Sequence, residues 1–537
     1  MSSKIFKISM VAATVAASFS ASAAIYQVHA YQPANGGETF GAAIQSSTEN
    51  CWLDTDCNEA SGPVPFHSAN LKIAIEEKQN PEGFNYRNEA PFLLENGYDY
   101  LEDGYDGFRK YCDNFLDYSK ELCKRWASRQ YSAGYATEGS LNNSYAYIED
   151  TAIESARDNV IINQIVDPAN NNAIGTYYGD SLKERTQPFG DVVIAGSGVQ
   201  AKVFSKLPAD GKGREDLYVG SVSFSTGNSN DFRSQAAIWT YVDSTLKEFL
   251  VASGGSISSR SIPQGSARDV AEVKDDSNNP VGVYAVGYDS NSDEIPLAAV
   301  FKINGTTVNK TYVGTYNDDN KYLNSLLTSV NDKGVAIGTV KYREPIDGAY
   351  ANRLFYVPDV TKSSLGGADF PGDIFFTSAN GIAGAINNNS EAVGQVDFER
   401  HQESNGGKPR AKRAFIAPLS STDAKAPLGN KAWYLDDLTY GLSSNNAYRV
   451  IDATDINDAG VIAGTAYYCK DGFDSSAIDA SCKAGASIVA VKLVPINGKT
   501  SSDIQSRPRE TTKVERQGAG FGLFALTVLG LIGFRRK

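Results

Sequence analysis

The chain has 537 residues and a formal charge of −13, long enough for one large repetitive domain or two to three ordinary ones. The acidic balance disfavours a nucleic-acid partner, since neutralising phosphates needs clustered Lys and Arg. Tyr (29), Phe (24) and Gly (49) are abundant and His (3) is scarce; this profile predicts an all-β body of short strands and tight turns, and no His pairing of the zinc-hydrolase kind occurs.

Residues 1–23 read as a signal peptide: Lys4 and Lys7, an apolar stretch from Ile8 through Phe19, then small residues to Ala24. The next stretch, 24–150, lacks the internal repeat of residues 151–495. It holds Cys51, Cys57, Cys112 and Cys123 and an acidic aromatic run from Tyr98 to Gly107. From Phe108 to Trp126 the apolar residues recur near helical spacing. In one unbroken helix Cys112 and Cys123 would lie about 16 Å apart, beyond disulfide reach. Either that helix breaks or the two pair elsewhere, with Cys51 and Cys57 the obvious partners. The stretch is expected to be a first blade with a disulfide-tied insertion, or a cap on the body.

In the repeat of residues 151–495, Val330–Gly338, Ile386–Gly394 and Ile456–Gly464 align without gaps, each opening on a β-branched residue and closing on glycine. The pattern predicts a strand end, an Asn/Asp turn and a short apolar strand. The closing glycine suits a place where another backbone approaches. Looser copies end at Gly175, Gly220 and Gly287. A second apolar strand is expected after each glycine: Ala201–Phe204, Ala236–Trp239, Ala298–Phe301, Leu354–Tyr356, Ala414–Phe415 and Ile488–Val491, with Ala90–Leu94 preceding them all. Units of 45 to 70 residues with several strands each point to a β-propeller. Counting second strands gives about seven blades.

Candidate chemistry is sparse. Gly179-Asp180-Ser181-Leu182 spells an esterase nucleophile block, but no Asp-x-x-His follows near the C-terminus, and Asp397 to His401 has the wrong spacing. Asp289 to Glu294 alternates oxygen donors as calcium loops do, without the glycine and final glutamate of such loops. Calcium is thus the only cofactor suggested, and a solvated hairpin loop is the plainer reading, as it is for Asn317–Asn320. The basic run Lys408–Arg413 reads as an exposed, trypsin-sensitive loop, or as a contact for anionic glycan or phospholipid. Tyr342 and Tyr350 could belong to a recognition face. Cys469 and Cys482 flank one loop and are expected to pair.

Residues 496–517 are rich in Ser, Thr, Lys and Arg and read as a flexible spacer. Residues 518–537 end the chain with Gly518, Gly520, an apolar run and Arg535-Arg536-Lys537. The 17 residues from Gly518 to Phe534 would reach about 25 Å as a helix, at the short end of a bilayer span. The positive-inside bias would keep the basic end cytoplasmic and the body outward.

The pattern I/V-N-x-x-G-x-x-x-G, closest at Asn457–Gly464, resembles the HAF repeat of bacterial extracellular proteins. The tail resembles the GlyGly-CTERM sorting signal of Gram-negative bacteria, although Ala519 separates its two glycines. The whole layout resembles a family of uncharacterised exported proteins carrying both. With tail processing, the resemblance implies type II secretion and a cell-surface or outer-envelope location; without it, a membrane anchor facing the periplasm. No activity comes with it. The expected function is a non-enzymatic envelope or surface propeller that binds a protein, glycan or envelope component through its loops. The alternatives are a polysaccharide hydrolase or lyase using carboxylates such as Asp397 or Glu399, and a structural coat or biofilm protein.

Overall fold

The computed structural model describes residues 24–31, 37–53, 57, 71–79, 103–138, 143–178, 186–190, 199–225, 232–252, 254, 262–291 and 295–510. The segment 1–23, the block 179–182, the strand expected at 90–94 and the tail with Gly518, Gly520, Arg535 and Arg536 lie outside them. No helix among the described residues is long and apolar enough to cross a membrane.

Seven antiparallel sheets form a seven-bladed β-propeller. The first strands of blades one to seven are Glu38–Ile44, Asp158–Asp167, Gln200–Leu207, Gly265–Lys274, Tyr322–Val330, Gly381–Ile386 and Tyr448–Ile456. Each touches the first strand of the next blade, and the seventh touches the first, so the ring is closed around a central channel. Closure joins the two ends of the described chain. Tyr26–Ala30 pairs with Ser487–Pro495, Tyr26 facing Pro495, and becomes the outermost strand of blade seven. The first blade is therefore built from later residues than its expected start, and its last strand, Thr151–Ile153, runs past residue 150.

The closing glycines of the repeat all fall on the second strands of blades two to seven, and each faces a β-bulge on the first strand. A Cβ on Gly338 would sit 2.0 Å from the Leu326 carbonyl oxygen, and one on Gly220 would sit 1.8 Å from that of Lys202. The missing side chain lets the bulged backbone come close. Blade one reverses the arrangement, with Gly41 on the first strand opposite Ile75. Five of the expected second apolar strands are the third strands of blades three to seven. Ala201–Phe204 is instead the first strand of blade three, because Thr186–Phe189 already fills the third position of blade two.

The insertion between Ile73–Lys78 and Ser144–Ile148 of blade one contains helix α1 (Gly104–Phe115) and helix α2 (Lys120–Ala127). Of the two expected alternatives the helical stretch takes the first and breaks at Leu116–Ser119, where Asp117 takes φ +53° and its N–H donates to the Cys112 carbonyl at 2.7 Å, a left-handed helix stop. That reversal brings the Cα atoms of Cys112 and Cys123 to 5.5 Å, and the two form a disulfide. Cys51 pairs with Cys57 and Cys469 with Cys482.

The segment expected to be a spacer from residue 496 is instead packed as far as Glu510. Gly498 N–H donates to Trp52 O at 3.2 Å, Arg507 is buried, and Ile478 N–H donates to Pro508 O at 2.9 Å. Ile504 packs against the core between blades six and seven, which includes Leu435, Leu438, Ile462 and Val491.

Candidate functional site

First strands run toward one end of the ring and return through the Asn turns, so those turns rim one mouth of the channel. The loops between second and third strands surround the other. At the first mouth each Asn has two tasks. Asn331 Oδ1 accepts Val335 N–H at 2.9 Å, Asn387 Oδ1 accepts Glu391 N–H at 3.0 Å and Asn457 Oδ1 accepts Val461 N–H at 3.0 Å, closing the local turns. Their Nδ2 groups donate to the next blade: Asn331 to Asn387 O at 3.0 Å, Asn387 to Asn457 O at 3.0 Å, and Asn457 to Gln45 O at 2.8 Å. This ladder ties blades five, six, seven and one edge to edge. Gly334 and Gly460 supply positive φ in two turns, and Ser390 takes φ +55° in the third.

Within the rim lies a cup of about 610 Å³ lined by the later halves of all seven first strands. Its floor is the ring of bulges. Two carboxylates hold the wall together there. Asp269 accepts Ser205 Oγ (2.8 Å) and Val270 N–H (2.8 Å) on one oxygen, Ser329 Oγ (2.7 Å) and Val330 N–H (2.9 Å) on the other, joining blades three, four and five. Burial pushes its carboxyl above the usual range, and these donors oppose the rise. Asp455 accepts Ile44 N–H at 2.9 Å across the closing junction.

Nearer the mouth the charges are paired. Lys206 meets Asp216 at 2.7 Å, Arg214 meets Glu272 at 3.6 Å and Lys274 meets Asp332 at 3.3 Å. Asp458 accepts Asn388 N–H at 2.8 Å and Asn388 Nδ2 at 2.9 Å. Arg268 lies over the Phe204 ring, 4.2 Å from its centroid. The cup thus presents amides, hydroxyls and compensated ion pairs, a surface that hydrogen-bonds in both senses without a strong net charge.

The insertion covers the opposite mouth. It is part of blade one but packs against blades four to six. Tyr111 clusters with Tyr288 and Leu326, Asp117 O accepts Gly406 N–H at 2.9 Å, and Asp117 Oδ2 accepts Asn405 N–H at 2.8 Å. Lys341 donates to Phe115 O of the insertion at 3.2 Å and to Tyr350 O at 2.6 Å, and burial brings its ammonium down to about 7.

Asp397 lies beneath this contact, away from the cup. Its Oδ2 accepts Asn380 N–H at 3.0 Å and Asn380 Nδ2 at 3.1 Å and faces Arg410 at 3.5 Å, while Glu403 accepts Arg410 N–H at 2.9 Å. Burial raises the Asp397 carboxyl to about 6. Glu399 accepts Ala411 N–H at 2.9 Å and stands 3.6 Å from His401. These acids fasten a loop. The basic run is no free patch either: Arg410 and Arg413 are buried, Arg413 meeting Asp436 at 3.2 Å, Lys412 is half-buried, and of its cations only Lys408 is exposed. Asp289 is turned inward onto Lys310 and Tyr312, so an ammonium already neutralises the first oxygen donor of the calcium-like run. Asn317 to Asn320 is the exposed turn expected. Tyr342 is buried against Tyr322, ring centroids 5.2 Å apart. Sequence reasoning missed the cup residues because they come from seven separate strands. The bulges opposite the closing glycines were the signal that could have pointed to them.

The sequence profile described as "Protein of unknown function (DUF3466)" matches residues 227–537. No curated protein matches the chain. Among solved structures, a protein titled "Glycoside hydrolase" aligns at 12% identity over 60% of this chain and 94% of its own, with a TM-score of 0.26. The alpha-L-arabinofuranosidase PaAbf62A from Podospora anserina aligns at 11% identity over 56% and 93%, with a TM-score of 0.23. Fructan 1-exohydrolase IIa from Cichorium intybus aligns at 9% identity over 54% of each chain, with a TM-score of 0.24.

Proposed function

Because the chain belongs to the DUF3466 family of proteins of unknown function, its activity has to be read from its own geometry, and we propose a non-enzymatic envelope propeller that receives a polar ligand in the open cup. The ligand is a glycan, a protein segment or another envelope component. One observation carries this reading: the acids lining the cup are already engaged by wall donors or paired cations. A recognition surface needs such fixed donors and acceptors. The HAF-like turns, the signal-like segment 1–23 and the GlyGly-like tail at 518–537 support an exported, envelope-bound location.

Full-length protein on beads, wild type beside Ser46→Trp, which fills the cup rim, tests this against envelope extracts. The expected result is a component retained by the wild type and lost from the variant. Equal retention by both, or none by either, would overturn the proposal.

A second reading has its own support, since Asp269, Glu272, Asp332, Asp455 and Asp458 gather in one central cup and paired carboxylates carry glycoside hydrolysis. Turnover of envelope polysaccharide by the wild type, abolished in Glu272→Gln or Asp458→Asn, would establish it.

A further inference from the structure

The two ends of the ring differ, and the path of the last described residues assigns each a direction. After Ser487–Pro495 the chain is at the cup end, where Gly498 N–H donates to Trp52 O and Ser501 lies against Gly429. It then crosses the outside of the junction between blades six and seven to the insertion end. There Arg507 N–H donates to Asp437 Oδ1 and Arg507 Nε to Asp436 O, both at 2.7 Å. Asp436 itself accepts Val450 N–H at 2.9 Å and meets Arg413 at 3.2 Å, so the clamp is bolted to both blades. Glu510 N–H donates to Asp479 Oδ1 at 2.7 Å, on the disulfide-closed loop of blade seven.

The strap delivers the chain to the insertion end at residue 510. Residues 511–517 follow, then the uncharged run Gly518–Phe534. Seven residues reach at most about 25 Å. We propose that this apolar run enters a lipid bilayer and that the short link holds the insertion-bearing end of the propeller against it, with the cup facing away. The insertion then lies between ring and membrane, and a ligand reaches the cup from the aqueous side. This rests on the tail reading and not on the identity of any ligand.

The test uses full-length protein in phosphatidylcholine vesicles containing nitroxide-labelled lipid, with one fluorophore at Ser476→Cys on the insertion end or at Lys333→Cys on the cup rim. Loss of most of the Ser476 signal and little of the Lys333 signal is expected. A Gly/Ser insertion of about 30 residues after Gln517, adding roughly 30 Å of root-mean-square reach, should level the two. Equal quenching without the insertion, or stronger quenching at Lys333, would overturn the orientation. Failure of the protein to float with the vesicles would overturn it by removing the anchor, whereas the Ser46→Trp comparison on beads fails or succeeds independently of both.

Discussion

Gly394 has no room for a methyl group, since a Cβ there would lie 2.2 Å from Ile382 O and 3.0 Å from Gly384 N. Both neighbours are backbone and cannot swing aside, so Gly394→Ala is expected to cost on the order of 2–3 kcal/mol, read as a lowered urea midpoint. Asn387 is as tightly placed: removing its side chain in Asn387→Ala strands the buried N–H of Glu391 and takes from the carbonyl of Asn457 one of its two donors, leaving Gly460 N–H. A loss of about 2–3 kcal/mol should follow, measured the same way. Ser390 stands where the sister turns have glycine, and its Oγ accepts Asn331 Nδ2 at 3.2 Å, so a backbone preference is exchanged for a link to blade five. Titration adds a third prediction. Asp437 is raised to about 7, chiefly by burial. A carboxyl whose folded pKa exceeds its unfolded one keeps its proton in the native state, so stability falls as pH climbs from about 4 to 7. Asp437→Asn retains an acceptor for Arg507 N–H and should flatten that decline by on the order of 2 kcal/mol, seen by comparing urea midpoints across this range.

Among the elements, the strands after each Asn turn were legible because their period and their glycines are local properties. The break between α1 and α2 was legible only as one of two alternatives, the other being cysteines paired elsewhere. Asp117 carries no sequence mark of a helix stop as strong as glycine, and its left-handed geometry is fixed by contacts with Asn405 and Gly406, nearly three hundred residues away. The strap was misread for a similar reason, since Arg507 looks solvated in composition and is buried through partners distant in sequence, Asp436, Asp437, Tyr440 and Ser476. Arg507→Ala should remove the guanidinium bonds to the carbonyls of Asp436 and Ser476 and free the segment after Thr500, which limited proteolysis would detect as early cleavage at Arg509. The loop 408–413 should resist trypsin, in contrast to its sequence: Lys408 precedes Pro409, and Arg410 and Arg413 are buried. Prompt cleavage there in the native protein would contradict the packing described.

At the scale of the molecule, the count of seven was readable and the assignment of every strand was not. One expected marker, Ala201–Phe204, opens a blade and does not extend one, and the marker at 90–94 lies outside the described residues, so the right total came from partly different strands. The cup was hidden because seven strands each contribute only a few side chains to it. Deleting residues 24–31 should strip blade seven of its outer strand and the ring of its join; the expected outcome is a lower, less cooperative thermal transition by calorimetry.

That join also fixes a sequence of events in the life of the chain. The strand made first must wait, unpartnered, until residue 495 has been synthesised. A half-made chain therefore carries an open sheet edge at each end, the kind of surface that invites association between molecules. Such a polypeptide completes its circle only once its far end exists, so delayed maturation is a property written into its topology.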